Sequence, residues 1–473
     1  MQHNNVNTIV SKAMQAAAVF SQLDQEHTDK IVRAVYEAAF NNRVKLAKMA
    51  QEETGIGKWE HKTIKNVLAS QLVYDDIKDE KTVGVISDDQ EKGIKEIAQP
   101  LGPIFAVIPV TNPTSTVIFK ILISLKTRNP IIISPHSRSL KCSIETARIC
   151  YEAALRVDAP EHCIQWLDVT SKELTQEFMS HKDISLILAT GGGGLVKAAY
   201  SSGTPAIGVG AGNVPVYIEK SADVPFAVKE IITSKTFDNG TVCASEQAIV
   251  VEHEQAQQVK DELRKHGAYF LIQDEIEQLE KVCFDKEKGV MNAQVIGQSA
   301  EVIAKMANIP VPKDTTVLIA PLKTVGASSP LSFEILAPVL AFYIADGFDD
   351  AVKICIDLNF HGGIGHTVSL YSNDENCILE FSQLMNAGRI LVNMPSSQGA
   401  VGGIYSMLRP SLTLGCGSGG KNITTDNITA KNLLNVQRIA YRRVNEQLMQ
   451  FDKSLYLDDK NDVKSIEKVF YNK

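Results

Sequence analysis

Short apolar segments alternate with helical patterns from about residue 100 onward, and this alternation constrains the fold more than any other feature. The first predicted strands are Ile104–Ile108, Ile131–Ser134, Cys163–Leu167 and Ile184–Ala189, and the helical patterns between them are Ser115–Lys126, Leu140–Leu155 and Lys172–Met179. Parallel strands need long crossover connections, which are usually helices. The alternation therefore predicts a parallel sheet with right-handed crossovers.

A second alternation begins after Cys243. Its predicted strands are Ile249–Val251, Val317–Ile319, Val339–Ile344, Val368–Tyr371 and Ile390–Val392, and its helices include Asp349–Asp357 and Glu375–Ala387. The first 80 residues follow a helical period instead, and two short segments around Gly93 predict a hairpin. We therefore expect two α/β domains with a boundary near residue 240, and a charged surface arm from Tyr441 onward.

Charge and cysteine usage exclude several classes of function. The 473-residue chain has a formal net charge of -7, which disfavours a nucleic acid as partner because a phosphate backbone requires a basic surface. No apolar run approaches the roughly 20 residues that span a bilayer, so we expect no membrane partner. The start of the chain lacks a secretory pattern, and the eight cysteines are scattered without a C-x-x-C pair. This predicts a cytoplasmic protein without disulfides or a metal site.

Cys243 is the strongest candidate for a reactive group. It lies three residues after Gly240, in a polar turn before the apolar segment Ala248–Val251. A thiol on such a turn is able to meet a substrate, and its backbone N–H is able to face the same substrate atom. The alternative is a buried cysteine that packs as a small hydrophobic residue, which is the commoner role of a free thiol.

Three further segments follow or precede predicted strands, where open parallel sheets bind ligands. Asn112 offers an amide group after Ile104–Ile108, although a helix-start asparagine beside a proline explains it equally well. The run Thr190-Gly191-Gly192-Gly193-Gly194 predicts a phosphate loop at a helix N-terminus, or a plain tight turn, since the G-x-G-x-x-G spacing is absent. The glycine loop at 208–213 leads into the predicted strand Val214–Ile218, and it is either a structural turn or a ligand-binding loop.

Glu334 and His366 are the remaining candidates. Glu334 stands just before an apolar strand, and a solvated strand-end glutamate is the alternative interpretation. His366 follows three glycines in Gly362-Gly363-Ile364-Gly365, where it is either a base, a cofactor contact or a structural histidine. As a base for a thiol, it predicts a pH profile with a group near the ordinary histidine pKa of about 6.5.

Together these segments resemble the aldehyde dehydrogenase superfamily, and within it the coenzyme-A-acylating branch. That branch includes the acetaldehyde dehydrogenase half of bifunctional aldehyde-alcohol dehydrogenases and stand-alone acylating enzymes. The motifs that carry the resemblance are Thr111-Asn112-Pro113-Thr114-Ser115, Asp238-Asn239-Gly240, Cys243-Ala244-Ser245-Glu246-Gln247, His366 and Pro410-Ser411-Leu412-Thr413-Leu414-Gly415-Cys416-Gly417-Ser418.

The resemblance implies Cys243 as nucleophile, with Asn112 and the Cys243 backbone N–H as oxyanion donors. It implies a dinucleotide site without a metal, lined by Ile108, Pro109, Val110, Thr111, Asn112, Pro113, Gly192, Gly210, Glu334, His366, Leu414 and Gly415. It also implies an aldehyde dehydrogenase-like α/β fold. The expected parts are a Rossmann-type cofactor domain over 1–237 with an oligomerisation hairpin at 82–99, a catalytic domain over 238–415, and a C-terminal segment and arm over 416–473. A homodimer or higher homo-oligomer is expected.

One absence selects the acylating branch. Hydrolytic relatives carry a glutamate base, and matching the glycine loop to theirs puts Gly208 in its place. Water needs such a base because its pKa is about 15.7, whereas a thiol with a pKa of about 8.5 supplies some thiolate unaided. Coenzyme A is therefore the expected acyl acceptor. The choice between NAD and NADP stays open, because Ser134 stands where hydrolytic enzymes have lysine and His136 and Arg138 lie nearby.

The resemblance thus implies reversible oxidation of a short aldehyde to an acyl-CoA through a thioester on Cys243, with acetaldehyde as the first choice. Succinate semialdehyde and butyraldehyde are alternatives within the branch, and a hydrolytic aldehyde dehydrogenase is an alternative outside it. A catalytically idle assembly subunit is disfavoured because Cys243 and Asn112 are both present.

Overall fold

Five helices form the first part of the chain in the computed structural model, which describes residues 5–285 and 289–471. They are α1 (Val6–Phe20), α2 (Gln25–Asn41), α3 (Arg43–Thr54), α4 (Trp59–Val67) and α5 (Val73–Ile77), with a π-helical turn at Leu68–Leu72 before α5. Asp24 caps α2, as its carboxylate accepts the N–H of His27 at 2.8 Å. The apolar face of α2 packs into the core of the first sheet.

The first sheet has five parallel strands in the order β5-β4-β3-β6-β7. Its elements follow a hairpin, β1 (Gly84–Asp89) and β2 (Ile94–Pro100), and they are β3 (Ile104–Val107), α6 (Pro113–Lys126), β4 (Ile131–Ser134), α7 (Leu140–Leu155), β5 (Ile164–Trp166), α8 (Lys172–Met179), β6 (Leu186–Thr190), α9 (Gly193–Tyr200) and β7 (Ala206–Val209). Helices cover both faces, which agrees with the wholly apolar sequence of β3 and the three isoleucines that begin β4. The predicted parallel sheet is confirmed.

The second sheet has seven parallel strands in the order β10-β13-β14-β9-β8-β15-β16. Its elements are β8 (Val214–Ile218), α10 (Val224–Thr236), β9 (Glu246–Glu252), α11 (Ala256–Lys265), β10 (Ala268–Phe270), α12 (Gln273–Cys283), β11 (Phe284–Asp285), β12 (Val290–Met291), α13 (Ala300–Met306), β13 (Val317–Pro321), β14 (Val339–Ala345), α14 (Phe348–Gly362), β15 (Val368–Tyr371), α15 (Glu375–Leu384), β16 (Ile390–Val392) and α16 (Ser396–Gly399). Strands β11 and β12 pair only with each other, in a separate two-stranded sheet.

The change from one sheet to the next falls between Val209 and Val214, earlier than the boundary expected near residue 240. Strand β8 pairs with β9 and β15, so it belongs to the second sheet together with the helix that follows it. An apolar strand does not reveal from its own composition which sheet it joins. The division of the chain into domains at 237 and 415 therefore stays a prediction.

The hairpin is confirmed, and it gains a third strand that the sequence did not suggest. Strand β17 (Leu434–Ala440) pairs antiparallel with β2. The chain then continues as a surface arm with α17 (Glu446–Gln450), α18 (Ser454–Leu457) and α19 (Val463–Phe470), and these helices contain no buried residue. Within the described part of the chain, no helix is both long enough and apolar enough to cross a membrane.

Candidate active site

Cys243 is presented by a turn that the backbone strongly constrains. Asp238, Asn239 and Gly240 all adopt positive φ angles, of 49°, 53° and 72°. Aspartate, asparagine and glycine are the residues that tolerate this conformation best. The Asn239 amide donates to the carbonyl of Gly297 at 2.8 Å, and Gly240 lies against the backbone of Ala337, where a side chain would collide. The turn thus places Cys243 in a fixed position just before β9.

Cys243 opens on a cleft of about 760 Å³ between the carboxyl ends of the first sheet and the second sheet. The cleft is lined from one side by loops after β3, β4 and β6, and from the other by Thr241, Cys243 and Glu334. Eight of the residues predicted for the dinucleotide site lie on this surface: Ile108, Pro109, Val110, Thr111, Asn112, Gly192, Gly210 and Glu334. The structure therefore brings these residues together, and their contacts with a dinucleotide remain predictions.

Four predicted residues lie outside the lining of this cleft. Pro113 is buried as the first residue of α6, Leu414 packs in an apolar cluster with Val242 and Ala244, and the Gly415 carbonyl accepts from Arg389 at 2.7 Å. His366 is completely buried beside Gly212. Their direct contact with a dinucleotide has no support from the geometry and stays a prediction.

His366 does not have the ordinary pKa that was expected of it. Burial and the neighbouring Arg389 cation lower its pKa to about 3. Its Nδ1 lies 2.9 Å from the Thr367 hydroxyl, and its Nε2 has no hydrogen-bond partner. The imidazole therefore titrates far below pH 6.5. The sequence did not predict this, because spacing along the chain carries no information about the burial of the ring.

Asn112 occupies the N-cap position of α6 but does not cap it, since its side chain makes no hydrogen bond to the helix N-terminus. Its Oδ1 accepts from Nζ of Lys65 at 2.7 Å, and its Nδ2 donates to the hydroxyl of Thr111 at 3.1 Å. Asn112 is thus a helix-start asparagine beside a proline, as the alternative interpretation expected, but its side chain does not cap the helix. Its amide lies at the wall of the cleft.

A buried charged cluster behind Asn112 was missed by the sequence analysis. Nζ of Lys65 lies 2.5 Å and Nζ of Lys62 lies 3.0 Å from Oδ2 of Asp238, and Thr241 donates to the same oxygen at 2.8 Å. Burial lowers the pKa of Lys65 to about 8. Burial also disfavours the charged form of Asp238, but Lys65 and Lys62 outweigh it and hold its pKa at about 2. The only sequence signal is two lysines three residues apart on α4.

The cleft raises the pKa values of both Cys243 and Glu334. Burial, and next the negative charge of Glu334, raise the pKa of the Cys243 thiol to about 12. Burial raises the pKa of Glu334 to about 7, although its Oε1 accepts the N–H of Gly212 at 2.8 Å. The alternative of a solvated strand-end glutamate is therefore wrong. A raised pKa favours the thiol form of Cys243 at neutral pH, so its proton has to leave before the sulfur acts as a nucleophile.

Gly208 has no space for the side chain of a hydrolytic base. A Cβ atom at Gly208 would lie 2.7 Å from Val196 and 3.0 Å from the Tyr200 hydroxyl. That hydroxyl donates to the Gly208 carbonyl and accepts its N–H, both at 3.1 Å. Among the described residues that line the cleft, Glu334 is the one carboxylate.

The glycine run after β6 is able to receive an anionic group. Added Cβ atoms at Gly192, Gly193 and Gly194 would meet nothing within 4 Å, so the backbone is open to the cleft. The run leads into the N-terminus of α9, whose unpaired N–H groups favour a phosphate. The buried Thr190 hydroxyl on this wall has no hydrogen-bond partner. These features fit a dinucleotide, and across residues 5–285 and 289–471 no cluster of three metal-binding side chains occurs.

The aldehyde dehydrogenase family profile matches residues 1–405. The chain is 46% identical over 455 residues to a bifunctional aldehyde-alcohol dehydrogenase of Escherichia coli strain K12, which covers 95% of this chain. It spans only about half the length of that relative, 51%.

Two solved structures are similar over nearly their whole length. An acetylating aldehyde dehydrogenase from Geobacillus thermoglucosidasius is 46% identical with a TM-score of 0.90, and the match covers 93% of this chain and 97% of that one. A Rhodopseudomonas palustris propionaldehyde dehydrogenase, with bound CoA and an acylated cysteine, is 26% identical with a TM-score of 0.82. That match covers 92% of this chain and 97% of the other.

Proposed function

The chain belongs to the aldehyde dehydrogenase family, and we propose that it oxidises a short aldehyde to an acyl-CoA, reversibly, with Cys243 as the nucleophile. Two observations together carry this proposal. A thiol faces the cleft, and the position where hydrolytic relatives have a glutamate base has no room for a side chain. Cys243 opens on the cleft, whereas Gly208 is packed beneath Val196 and Tyr200. A site of this kind supports acyl transfer to a thiol rather than to water.

In the first step the Cys243 S–H bond breaks, its proton passes to solvent, and the sulfur bonds to the aldehyde carbon. The carbonyl π electrons move to oxygen, and the amide of Asn112 and the Cys243 backbone N–H donate to the resulting oxyanion. Each such donor typically contributes about 3 kcal/mol to the barrier reduction. A bound nicotinamide dinucleotide would supply the two-electron acceptor for the hydride on that carbon, and the carbon would then be held as a thioester on Cys243.

The second step exchanges one thioester for another. The coenzyme A thiol gives up its proton as its sulfur bonds to the acyl carbon, the bond from that carbon to Cys243 breaks, and the departing Cys243 sulfur takes up a proton in its place. The two thioesters have similar free energies, so the reverse reduction of acyl-CoA is feasible as well. The CoA and the acylated cysteine in the Rhodopseudomonas palustris structure support this step by similarity.

The dinucleotide is proposed to be NAD, with NADP as an alternative. The wall of the cleft after β4 consists of Ser134, Pro135, His136 and Ser137, with Lys172 nearby. No carboxylate stands among these residues, so none of them selects for a ribose 2′-hydroxyl and none would repel a 2′-phosphate. These residues therefore do not favour NAD over NADP. Acetaldehyde is the proposed substrate, and succinate semialdehyde and butyraldehyde are the alternatives that a panel of aldehydes would rank.

A burst experiment tests the acylating assignment. Enzyme mixed with NAD and acetaldehyde alone should release about one NADH per active site and then turn over slowly, because no thiol is present to accept the acyl group. Addition of coenzyme A should restore rapid turnover and yield acetyl-CoA. Fast multiple turnover to free acetate without coenzyme A would return the chain to the hydrolytic branch.

The protein is also proposed to act in the cytoplasm as a homo-oligomer. All eight cysteines are free thiols, as a reducing compartment favours. Strand β17 forms one edge of the sheet β1-β2-β17, and exposed apolar residues flank that edge, including Ile439 and Tyr441. An unpaired edge strand is a template for pairing with another chain. Light scattering on the purified protein gives the oligomeric state directly.

A further inference from the structure

A buried charged cluster lies behind Asn112, and the proposed reaction uses none of its members. We call it the lysine cluster, and it consists of Lys62, Lys65, Asp238 and Thr241. Their exposed fractions are 2%, 5%, 0% and 1%. Two cations share one carboxylate, so the cluster holds more positive than negative charge away from water. Such an arrangement is expensive to bury, and apolar side chains would pack the same space at a lower cost. Packing alone therefore does not account for the second lysine.

The ammonium group of Lys65 uses all three of its N–H groups. They face Oδ1 of Asn112 at 2.7 Å, Oδ2 of Asp238 at 2.5 Å and Oγ1 of Thr241 at 2.8 Å. Thr241 in turn donates its own proton to Asp238, so the donors and acceptors of the cluster are consistent with one another. An ammonium group only donates. The Lys65 ammonium therefore bonds to Asn112 in only one orientation of the amide, with the amide oxygen toward Lys65.

The orientation of Asn112 decides whether it helps or hinders the reaction. The oxygen and the NH2 group of an asparagine are nearly identical in shape, so a flip of the amide costs little unless a neighbour opposes it. In the observed orientation one N–H of Asn112 reaches the Thr111 hydroxyl, and the second N–H is left for an oxyanion. A flipped amide would present its oxygen to that oxyanion instead.

We propose that Lys65 is a positioning residue, which holds the Asn112 amide with its N–H groups toward the reacting carbonyl. This inference rests on the proposed function, because it requires Asn112 to be the oxyanion donor. It adds a role for the N-terminal helices, since Lys65 reaches the site from α4, which is remote in sequence from both Asn112 and Cys243.

The test compares Lys65→Met with the matched control Lys62→Met. Both variants remove a buried ammonium group that contacts Asp238, but Lys62 bonds to the Thr111 carbonyl and not to Asn112. The rate of the NADH burst should fall by about 10²–10³ in Lys65→Met, the usual effect of losing one oxyanion donor. The KM for NAD should stay within about three-fold of wild type. Lys62→Met should lose comparable thermal stability but keep a burst at least about ten-fold faster than Lys65→Met.

A double variant separates positioning from general damage. In Lys65→Met/Asn112→Ala the burst should be within about three-fold of Asn112→Ala alone, because no amide is left to orient. Lys65→Gln, which keeps an N–H donor on an uncharged side chain, should be faster than Lys65→Met, and it also serves if the methionine variant does not fold. Multiplicative losses in the double variant, or equal burst rates for Lys65→Met and Lys62→Met, would overturn the inference.

The outcomes also separate this inference from the proposed function. If the wild-type enzyme shows no CoA-dependent oxidation, the proposed function fails whatever Lys65 does. If Asn112→Ala has a normal burst, Asn112 is not the oxyanion donor and the positioning role of Lys65 fails with it, while the proposed function stands. If Asn112→Ala is slow and Lys65→Met keeps a burst within about three-fold of wild type, only the positioning role fails.

Discussion

The part of the cleft around Cys243 and Asn112 and the part around the glycine run after β6 are built in opposite ways. In the first part, the positions of Asn112 and the turn at 238–240 are set by buried side chains whose hydrogen bonds are satisfied. In the second part, the run Gly192 to Gly194 presents bare backbone with open space before it. Chemistry needs atoms held to within a fraction of an ångström, whereas binding of a dinucleotide needs room and backbone donors. Substitutions in the first part should therefore lower turnover, and those in the second should weaken cofactor binding.

The largest effect is expected at Cys243. Cys243→Ala should abolish aldehyde oxidation and the NADH burst, because no thioester can form, while the binding of NADH stays unchanged. None of the other seven cysteines lies in a comparable turn, so their alanine variants should remain active. Fluorescence titration with NADH and a burst assay check both halves of this prediction. Substantial turnover by Cys243→Ala would remove the nucleophile from the proposal.

Asn112→Ala should lower kcat by about 10²–10³ through the loss of one oxyanion donor. The helix α6 should hardly be affected, because the Asn112 side chain does not cap it. Steady-state kinetics and a thermal melt distinguish the two roles. A lower melting temperature with nearly normal kcat would restore the capping interpretation that the structure disfavours.

Gly212 and Gly210 test the comparison within one loop. A methyl group at Gly212 would collide with the carbonyl oxygen of Cys243, whereas one at Gly210 would meet nothing within 4 Å. Gly212→Ala should therefore displace the nucleophile and reduce kcat by about 10², a loss typical of a misplaced reacting group. Gly210→Ala should change only the KM for NAD, by a few-fold. Equal losses of kcat in both variants would show that turnover is no more sensitive to substitutions near Cys243 than to substitutions near the dinucleotide.

The sequence was most informative where a residue's neighbours along the chain determine its structure. Periodicity predicted β3, β4 and the helix between them, because the apolar positions in each of these segments are the positions that the fold buries. The turn before Cys243 was equally predictable, since Asp238, Asn239 and Gly240 are residue types that favour turns and tolerate the positive φ angles found there. Other features depend on partners far away in the chain. Strand β8 joins the second sheet by pairing with β9 and β15.

The lysine cluster shows the same limit at the site. Lys65 and Lys62 stand in α4, where an exposed helix face would carry lysines in any case, and only tertiary packing brings them to Asp238 more than 170 residues later. His366 shows the same limit. The sequence left it as a base, a cofactor contact or a structural histidine, and only the fold shows that neighbouring glycines allow close packing around a completely buried ring.

The smallest expected effect is on the pH dependence of cofactor binding, and it tests the role of Glu334 in the lining of the cleft. Its pKa is raised to about 7, so the group is neutral below that pH and a carboxylate above it. A carboxylate forms stronger hydrogen bonds with ribose hydroxyls than a neutral acid does, by about 1 kcal/mol, which is about five-fold in affinity. The Kd for NADH should therefore fall about five-fold as the pH rises through 7, and Glu334→Gln should abolish that dependence.

Lys235 titrates in the same range, because burial lowers its pKa to about 7, and its charge also acts on Glu334. It is nevertheless directed away from the cleft, since it donates to Gln247 at 2.9 Å and to the Ile335 carbonyl at 3.1 Å. Lys235→Met should therefore keep the pH dependence of NADH binding and move its midpoint upward, because a cation that favours the Glu334 carboxylate is lost. A dependence that survives in Glu334→Gln but disappears in Lys235→Met would assign the titration to the lysine and leave Glu334 as a simple hydrogen-bond acceptor for Gly212.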